Sequence, residues 1–372
     1  MAWPSVIINI KNMMKGPIAG VEYHFLFVGY GTVSGAKREL TVVDASTDLE
    51  TALSSAGESL QATVMAAQLN GGSEWTAGVM VLDQADDWKD AVRKANETAS
   101  FEAFALDFPA TDKTLLEDAI AMRTELKNAL GRETFAVCCL PEIDNTDATN
   151  GETWEAWLAK SVAIVDGVAS QYITVVPSVH ADGSTLGKYC GRLANQVNAS
   201  IADSPARVKT GSVVGSTDFL TDKDGKALAL SVLKTLESNR IACPMWYPDY
   251  DGQYWTTGCT LDVEGGDFQD IRHIRVAMKA ARKVRIRAIA RIADRTFNST
   301  PQSEAQAKLF MTQDLREMAL IGNPGEIYPP EDDDIQIKWV NSTEVEIYMA
   351  VQPYECPVKI TVAIYISQGD EA

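Results

Sequence analysis

The sequence predicts an α/β protein: an N-terminal α/β layered domain, then an α+β C-terminal domain, with extended N- and C-terminal strand arms. Three observations predict it. From about residue 21 to 250, short apolar runs alternate with helical stretches, the pattern of a largely parallel sheet layered with helices. From about 255 the rhythm changes to two long helices followed by alternating strands. Each end of the chain holds one alternating apolar segment set off by proline or glycine. The expected division is 1–20 as an N-terminal arm, 21–250 as the layered domain, 251–352 as the C-terminal domain and 353–372 as a C-terminal arm. A chain of 372 residues has room for two domains.

In the first arm Val6, Ile8 and Ile10 alternate with Ile7 and Asn9, and Asn12 to Pro17 breaks the pattern. One short strand in twenty residues buries no core, so it must pair elsewhere. Phe25–Val28 and Leu40–Val43 read as strands. Asp48–Leu69 reads as a helix stopped by Asn70-Gly71-Gly72. Strands at Val79–Leu82, Phe104–Leu106, Phe135–Leu140 and Tyr172–Val176 alternate with helices at 86–97, 112–130, Thr153–Asp166 and Ser184–Ile201. Gly131 closes the second of these helices. Val213-Val214 and a helix over 226–238 extend the pattern. Pro244–Gly252, holding Trp246, Tyr247, Pro248 and Tyr250, reads as a connector.

A strand at Gly258–Val263 leads into a helix from Phe268 to Ala293, a rod of about 39 Å at 1.5 Å per residue. A second helix spans Ser303–Ile321, with Pro301 at its start and Gly322 at its stop. Three alternating strands follow. The first carries Ile335, Ile337 and Trp339, and the second Val345, Ile347, Met349 and Val351. The last carries Val358, Ile360, Val362, Ile364 and Ile366.

The chain has 33 basic and 51 acidic residues, for a net charge of −18. Residues 1–266 carry −15, and nine of the thirteen basic residues after 266 fall within 270–295. Such a balance argues against general nucleic-acid binding, which rests on clustered Lys and Arg. No run reaches the ~18 apolar residues of a membrane helix. Met1-Ala2-Trp3-Pro4-Ser5 has neither a basic region nor an apolar stretch behind it, so no secretion signal is expected.

Catalytic chemistry is hard to assemble. Cys138, Cys139, Cys190, Cys243, Cys259 and Cys356 form no C-x-x-C pair, and His24, His180 and His273 are isolated. They are expected to be reduced cysteines and lone histidines rather than a metal site, and no cofactor is expected. Gly29-Tyr30-Gly31-Thr32-Val33-Ser34-Gly35 loosely echoes a dinucleotide fingerprint, but a strand rather than a helix follows, so a turn is expected. Asp222-Lys223-Asp224-Gly225 lacks the remaining positions of a calcium loop and reads as a polar turn. Asp86-Asp87 and Asp332-Asp333-Asp334 read as helix-start and solvated charge. A nucleotide-binding α/β enzyme is therefore the weaker functional class.

The basic helix offers more. Ile271, Ile274, Met278, Ala281, Ala288 and Ile292 recur at three- and four-residue spacing as a core stripe. Arg275, Lys279, Arg282 and Lys283 lie on other faces, either solvated or docking an acidic partner. The terminal strands either pair within the subunit or add to a sheet of a neighbour, and exchange of the second kind propagates an open assembly.

Several segments together resemble the contractile phage tail sheath proteins of the compact type found in Mu-like tails. They are Met1-Ala2-Trp3-Pro4-Ser5-Val6, His24-Phe25-Leu26-Phe27-Val28-Gly29, Gly252-Gln253-Tyr254-Trp255-Thr256-Thr257-Gly258 and Glu264-Gly265-Gly266-Asp267-Phe268-Gln269. Ile274-Arg275-Val276, Lys279 to Arg285, Phe297-Asn298-Ser299-Thr300 and the closing strands continue the match. The match is loose over about 85–250. The resemblance implies a structural subunit, not an enzyme, that polymerises as stacked hexameric rings around an inner tail tube on a baseplate, below a tail terminator. Contraction drives the tube through the host envelope. It implies a virion tail assembled in the host bacterial cytoplasm, with 251–352 as the conserved sheath domain and 21–250 as the outer domain. Val6, Ile8, Ile10, Val358, Ile360, Val362 and Ile364 become inter-subunit strand arms, and Arg275, Lys279, Arg282 and Lys283 a tube-facing surface. A related contractile injection system or phage-derived bacteriocin is the alternative within the class.

Overall fold

The computed structural model describes residues 20–32 and 39–364. Its centre is a six-stranded sheet. Strand β1 (Phe25–Tyr30) pairs in parallel with β3 (Thr76–Leu82) on one side and β4 (Ala103–Pro109) on the other. The parallel order continues through β5 (Phe135–Cys139) to β6 (Ile173–Val176), and β2 (Thr41–Asp44) closes the far edge antiparallel to β3. These parallel strands were legible as apolar runs because both faces of such a sheet are covered.

Side chains alternate across the sheet at period two. Leu26, Val28, Phe104, Leu106, Ala136 and Cys138 face α3 (Trp88–Thr98), α4 (Lys113–Leu130), α5 (Trp154–Val165) and α7 (Leu230–Ser238). Phe25, Phe27, Ala103, Ala105, Phe135 and Val137 face the opposite layer. That layer holds α1 (Leu49–Ala52), α2 (Glu58–Gly71), α6 (Thr185–Leu193) and the first half of α8 (Ile271–Ile289). The second layer is therefore finished by a helix that lies past residue 250 in sequence.

Several elements differ from the sequence expectation, each for a local reason. The helix expected over Asp48–Leu69 is two helices, because Gly57 turns its N–H onto the Tyr30 carbonyl at 2.8 Å and starts a new one. The helix expected to reach Ile201 ends at Leu193. Arg192 instead binds the loop carbonyls of Pro205, Arg207 and Gly211, and Asn195 binds the Asn70 carbonyl at the C-terminal end of α2. The helix expected over 226–238 begins only at Leu230, since Asp222 accepts from the Asp224 and Lys226 N–H groups and holds a turn. Pro244–Gly252 is not a connector. It forms most of a hairpin of β7 (Pro244–Tyr247) and β8 (Tyr250–Trp255), tied down where Gln253 meets the buried His180 Nε2 at 2.9 Å. Gly258–Val263 forms no named strand but lies beside β6, with the Leu261 N–H on the Ile173 carbonyl. The basic helix is 19 residues rather than 26, about 28 Å long.

The C-terminal part packs α9 (Pro301–Leu320) on α8 through Val276, Ala280, Leu315 and Met318. A hairpin of β9 (Ile335–Asn341) and β10 (Glu344–Met349) lies beside them as a separate two-stranded sheet.

One feature of the second layer had a sequence signal that was missed, the G-x-x-x-G spacing of Gly187 and Gly191 in α6. A Cβ at Gly187 would sit 1.9 Å from the Thr63 carbonyl oxygen and one at Gly191 would sit 2.5 Å from that of Ala67, so α6 lies against the backbone of α2. Gly187→Val is expected to lower stability by about 1–3 kcal/mol or more through overpacking. Urea unfolding, with Ala163→Val at an exposed position of α5 as control, checks this; equal midpoints for the Gly187 variant and the parent would refute the packing.

Candidate functional site

The charges of α8 decide what this helix does. Asp270 caps its N-terminus, accepting from the Arg272 N–H at 3.0 Å and from Arg272 Nε at 2.9 Å. Arg275, one turn on, is 2% exposed. Its Nε and Nη2 donate to the two oxygens of the fully buried Glu102 at 2.7 and 2.9 Å, and Nη2 also donates to the Leu193 carbonyl at 3.0 Å. Burial alone would lower the Arg275 pKa, but the charge and hydrogen bonds of Glu102 raise it above the ordinary arginine value. Lys279 Nζ bridges both oxygens of Glu326 at 2.7 Å. Arg282 donates to Glu22 at 2.9 Å and to the Glu133 carbonyl at 2.9 Å. Burial pushes the Glu22 carboxyl up, and Arg282 more than offsets it, leaving it below its usual value.

The expected tube-facing surface is corrected accordingly. Arg275, Lys279 and Arg282 point inward, each onto a carboxylate of this chain, and Lys283 alone of the four is half-exposed, 3.8 Å from Glu317. The expected core stripe holds for Ile271, Ile274 and Met278 but not for Ala281 or Ile292, which are exposed. Sequence reasoning missed the acceptors because Glu22, Glu102 and Glu326 lie 47 to 260 residues away along the chain.

These pairs also fix the roots of both arms. Glu22 and Tyr23 follow directly on the first arm. Glu22 is held by Arg282, while the Tyr23 N–H donates to Glu102 at 2.6 Å with Tyr23 at φ +70°, uncommon for an aromatic residue. At the other end Arg272 Nη1 donates to the Tyr354 carbonyl at 2.7 Å, Tyr354 stacks on Tyr328, and the Tyr328 hydroxyl donates to Glu355 at 2.8 Å. Arg272 and Arg282 are ten residues apart, so the two roots meet the same helix about 15 Å apart along its axis.

Val6, Ile8 and Ile10 lie outside the described residues. Val358, Ile360, Val362 and Ile364 are described, form no strand, and are 56%, 76%, 73% and 85% exposed. Next to this tail runs an apolar groove of about 780 Å³, floored by Val276, Ala280 and Val284 of α8 and walled by Ile347, Met349 and Val351. The β9–β10 sheet has no third strand among the described residues.

Among the described residues, no grouping of three His, Cys, Asp or Glu side chains is arranged to hold a metal, and no helix is long and apolar enough to cross a membrane. Cys138, Cys139, Cys190 and Cys243 are buried free thiols whose pKa values burial raises.

A layered α/β body carrying a helical C-terminal part with a small sheet is the architecture of tail sheath proteins. The chain superposes on a sheath tail protein of Desulfitobacterium hafniense with a TM-score of 0.55, 12% identity, and coverage of 94% of this chain and 96% of that one. A sheath tail protein of Listeria innocua gives a TM-score of 0.58, 10% identity, and coverage of 91% and 93%. A chain of the six-fold symmetrised cryo-EM structure of the anti-feeding prophage baseplate gives 0.58, 13%, 99% and 100%. In sequence, residues 3–259 match the DUF2586 N-terminal domain and residues 267–369 the DUF2586 C-terminal domain. The putative tail sheath protein of Haemophilus phage HP1 is 41% identical over 374 residues, covering 98% of both chains. The chain belongs to the DUF2586 family, and its near full-length match to the phage protein places it among the phage tail sheath proteins.

Removing one partner of the Arg275–Glu102 pair strands the other in the core, at a cost of about 3–5 kcal/mol. Arg275→Met and Glu102→Leu are each expected to lose that much in denaturant unfolding, and the double variant far less than their sum. Additive losses would show that the two side chains do not act together.

Proposed function

We propose that this chain is the subunit of a contractile phage tail sheath that polymerises through its arms as stacked six-fold rings around an inner tail tube. The sheath starts from a baseplate, ends at a tail terminator, and contracts to drive the tube through the host envelope. Its place is the virion tail, after assembly in the host cytoplasm. The work is mechanical rather than catalytic. The 41% identity to a phage protein favours a phage tail over other contractile particles.

The observation that carries the polymerisation reading is the exposed tail. Alternating Val358, Ile360, Val362 and Ile364 are more than half exposed in a single copy, beyond a root held by Arg272 and Tyr328. An apolar segment of strand periodicity left in water is an aggregation hazard unless a partner covers it. A neighbour's β9–β10 hairpin offers an edge for main-chain pairing, and the groove beside α8 offers pockets for alternate side chains. The same reading extends to Val6, Ile8 and Ile10 of the first arm. The body supplies rigidity and the arms supply the links.

A chain ending at Cys356, which keeps the root at Tyr354 and Glu355, is expected to fold with a far-ultraviolet spectrum close to that of the full chain and to remain monomeric. The full chain is expected to give tubes or stacked rings by negative-stain electron microscopy. Tubes formed by the shortened chain would refute tail-mediated assembly.

A further inference from the structure

Seven of the nine basic residues of 270–295 are matched to carboxylates within the chain; Arg285 and Arg295 have none among the described residues, and Arg285 has company. At the C-terminal end of α4, Arg123, Lys127 and Arg132 come close to Arg282 and Arg285 of α8. Two carboxylates serve this group. Glu133 is taken by Arg123 and by Lys127 at 3.2 Å, and Glu22 by Arg282 at 2.9 Å. Arg132 and Arg285 have no carboxylate partner among the described residues.

The two residues are nevertheless neighbours. Gly131 closes α4 at φ +64°, and a Cβ built there would lie 2.5 Å from Arg285 Nη2, so the Arg285 guanidinium rests on the glycine beside Arg132. Burial and the Arg285 charge hold Arg132 below its ordinary arginine pKa. Arg132 Nε is shut off from solvent and has no acceptor. The carbonyl end of α4 carries partial negative charge that favours cations there. Its Leu126 and Lys127 carbonyls already accept from the Arg132 and Gly131 N–H groups. The site thus gathers five cations around two carboxylates in a chain of net charge −18.

We propose that Arg132 and Arg285 form a clamp for a carboxylate carried by a second copy of this chain. The proposal rests on the polymerisation reading above. Its physical reason is repulsion: copies that each carry −18 resist being stacked, so a contact between them needs cations not already neutralised. A planar guanidinium also holds a carboxylate through two parallel hydrogen bonds, giving the contact a fixed direction. The chain supplies suitable acids. In the Glu331–Asp334 turn, Glu331 and Asp334 cap one another, while the Asp332 and Asp333 side chains are exposed and make no hydrogen bond among the described residues. Loss of the clamp is expected to leave the subunit folded, because among the described residues no hydrogen bond depends on either guanidinium.

The test places a photo-reactive phenylalanine analogue at Asn128, exposed on α4 one turn before the pair, in the full chain. Cross-linking is run on assembled tubes and mapped by mass spectrometry. The expected adduct joins two copies at a segment bearing Asp or Glu. The double variant Arg132→Glu with Arg285→Glu is expected to lose the adduct and to need about tenfold more protein to assemble, the size of a coupled interfacial charge pair. The neutral pair Arg132→Gln with Arg285→Gln should show a smaller loss with an unchanged unfolding midpoint. An adduct to another protein, no adduct in tubes that do form, or unchanged assembly after charge reversal would overturn the clamp. Failure of the unmodified chain to form tubes would instead overturn the polymerisation reading, and the clamp with it.

Discussion

A guanidinium with almost no exposed surface must find its hydrogen bonds inside the protein, and Arg275 finds them on the far side of the sequence. Taking two charges out of water costs several kcal/mol per ion, repaid only where geometry and remaining hydrogen bonds are complete. At Arg275 they nearly are. Two bonds go to Glu102 and one to the Leu193 carbonyl, and Glu102 in turn accepts from the Tyr23 N–H. Helix α8 therefore cannot leave the sheet without stranding a charge on each side. Ile271, Ile274 and Met278 add the apolar part of the same constraint by completing the core beneath β1, β4 and β5.

From this pair follows the placing of everything that reaches outward. Glu22 and Tyr23 come to α8 because Arg282 and Glu102 hold them there, and Tyr354 comes to α8 because Arg272 holds its carbonyl. Both arms start from one stiff rod instead of from separate loops. In a sheath subunit, such a rod keeps the two exit points at a constant spacing. On the proposed reading, rearrangement between copies falls to the arms and to exposed contacts, which are weak singly and screened by salt.

How far the sequence disclosed this depended on where the information sits. The parallel strands and α3, α4, α5 and α9 were legible because each carries its own periodicity and its own stop, as with Gly131 after α4. The early end of α6 was not, since Arg192 spends its side chain on carbonyls of the following loop and Asn195 on the Asn70 carbonyl of α2, far away in sequence. The β7–β8 hairpin hid behind prolines and tyrosines that resemble a linker. The basic helix was found, and its core half was read correctly at Ile271, Ile274 and Met278. Its charges were misplaced outward because a sequence shows a cation but not the carboxylate it will meet. The alternation over Val358–Ile364 predicted a strand, and within one copy these residues form none, because no edge among the described residues pairs with them. The carboxylate-free pair Arg132 and Arg285 was not legible, being a juxtaposition of α4 and α8.

The most direct measurement is native-state hydrogen exchange of the free subunit, which separates parts that open independently from parts that open together. If Arg275 and Glu102 bind α8 to the sheet, the α8 amides from Arg275 to Arg282 exchange with the same slow free energy as those of β1 and β4. Arg275→Met would then lower all three together. Faster, independent exchange of α8, with β1 and β4 unaffected by the substitution, would contradict a single body and make the C-terminal part a separate domain.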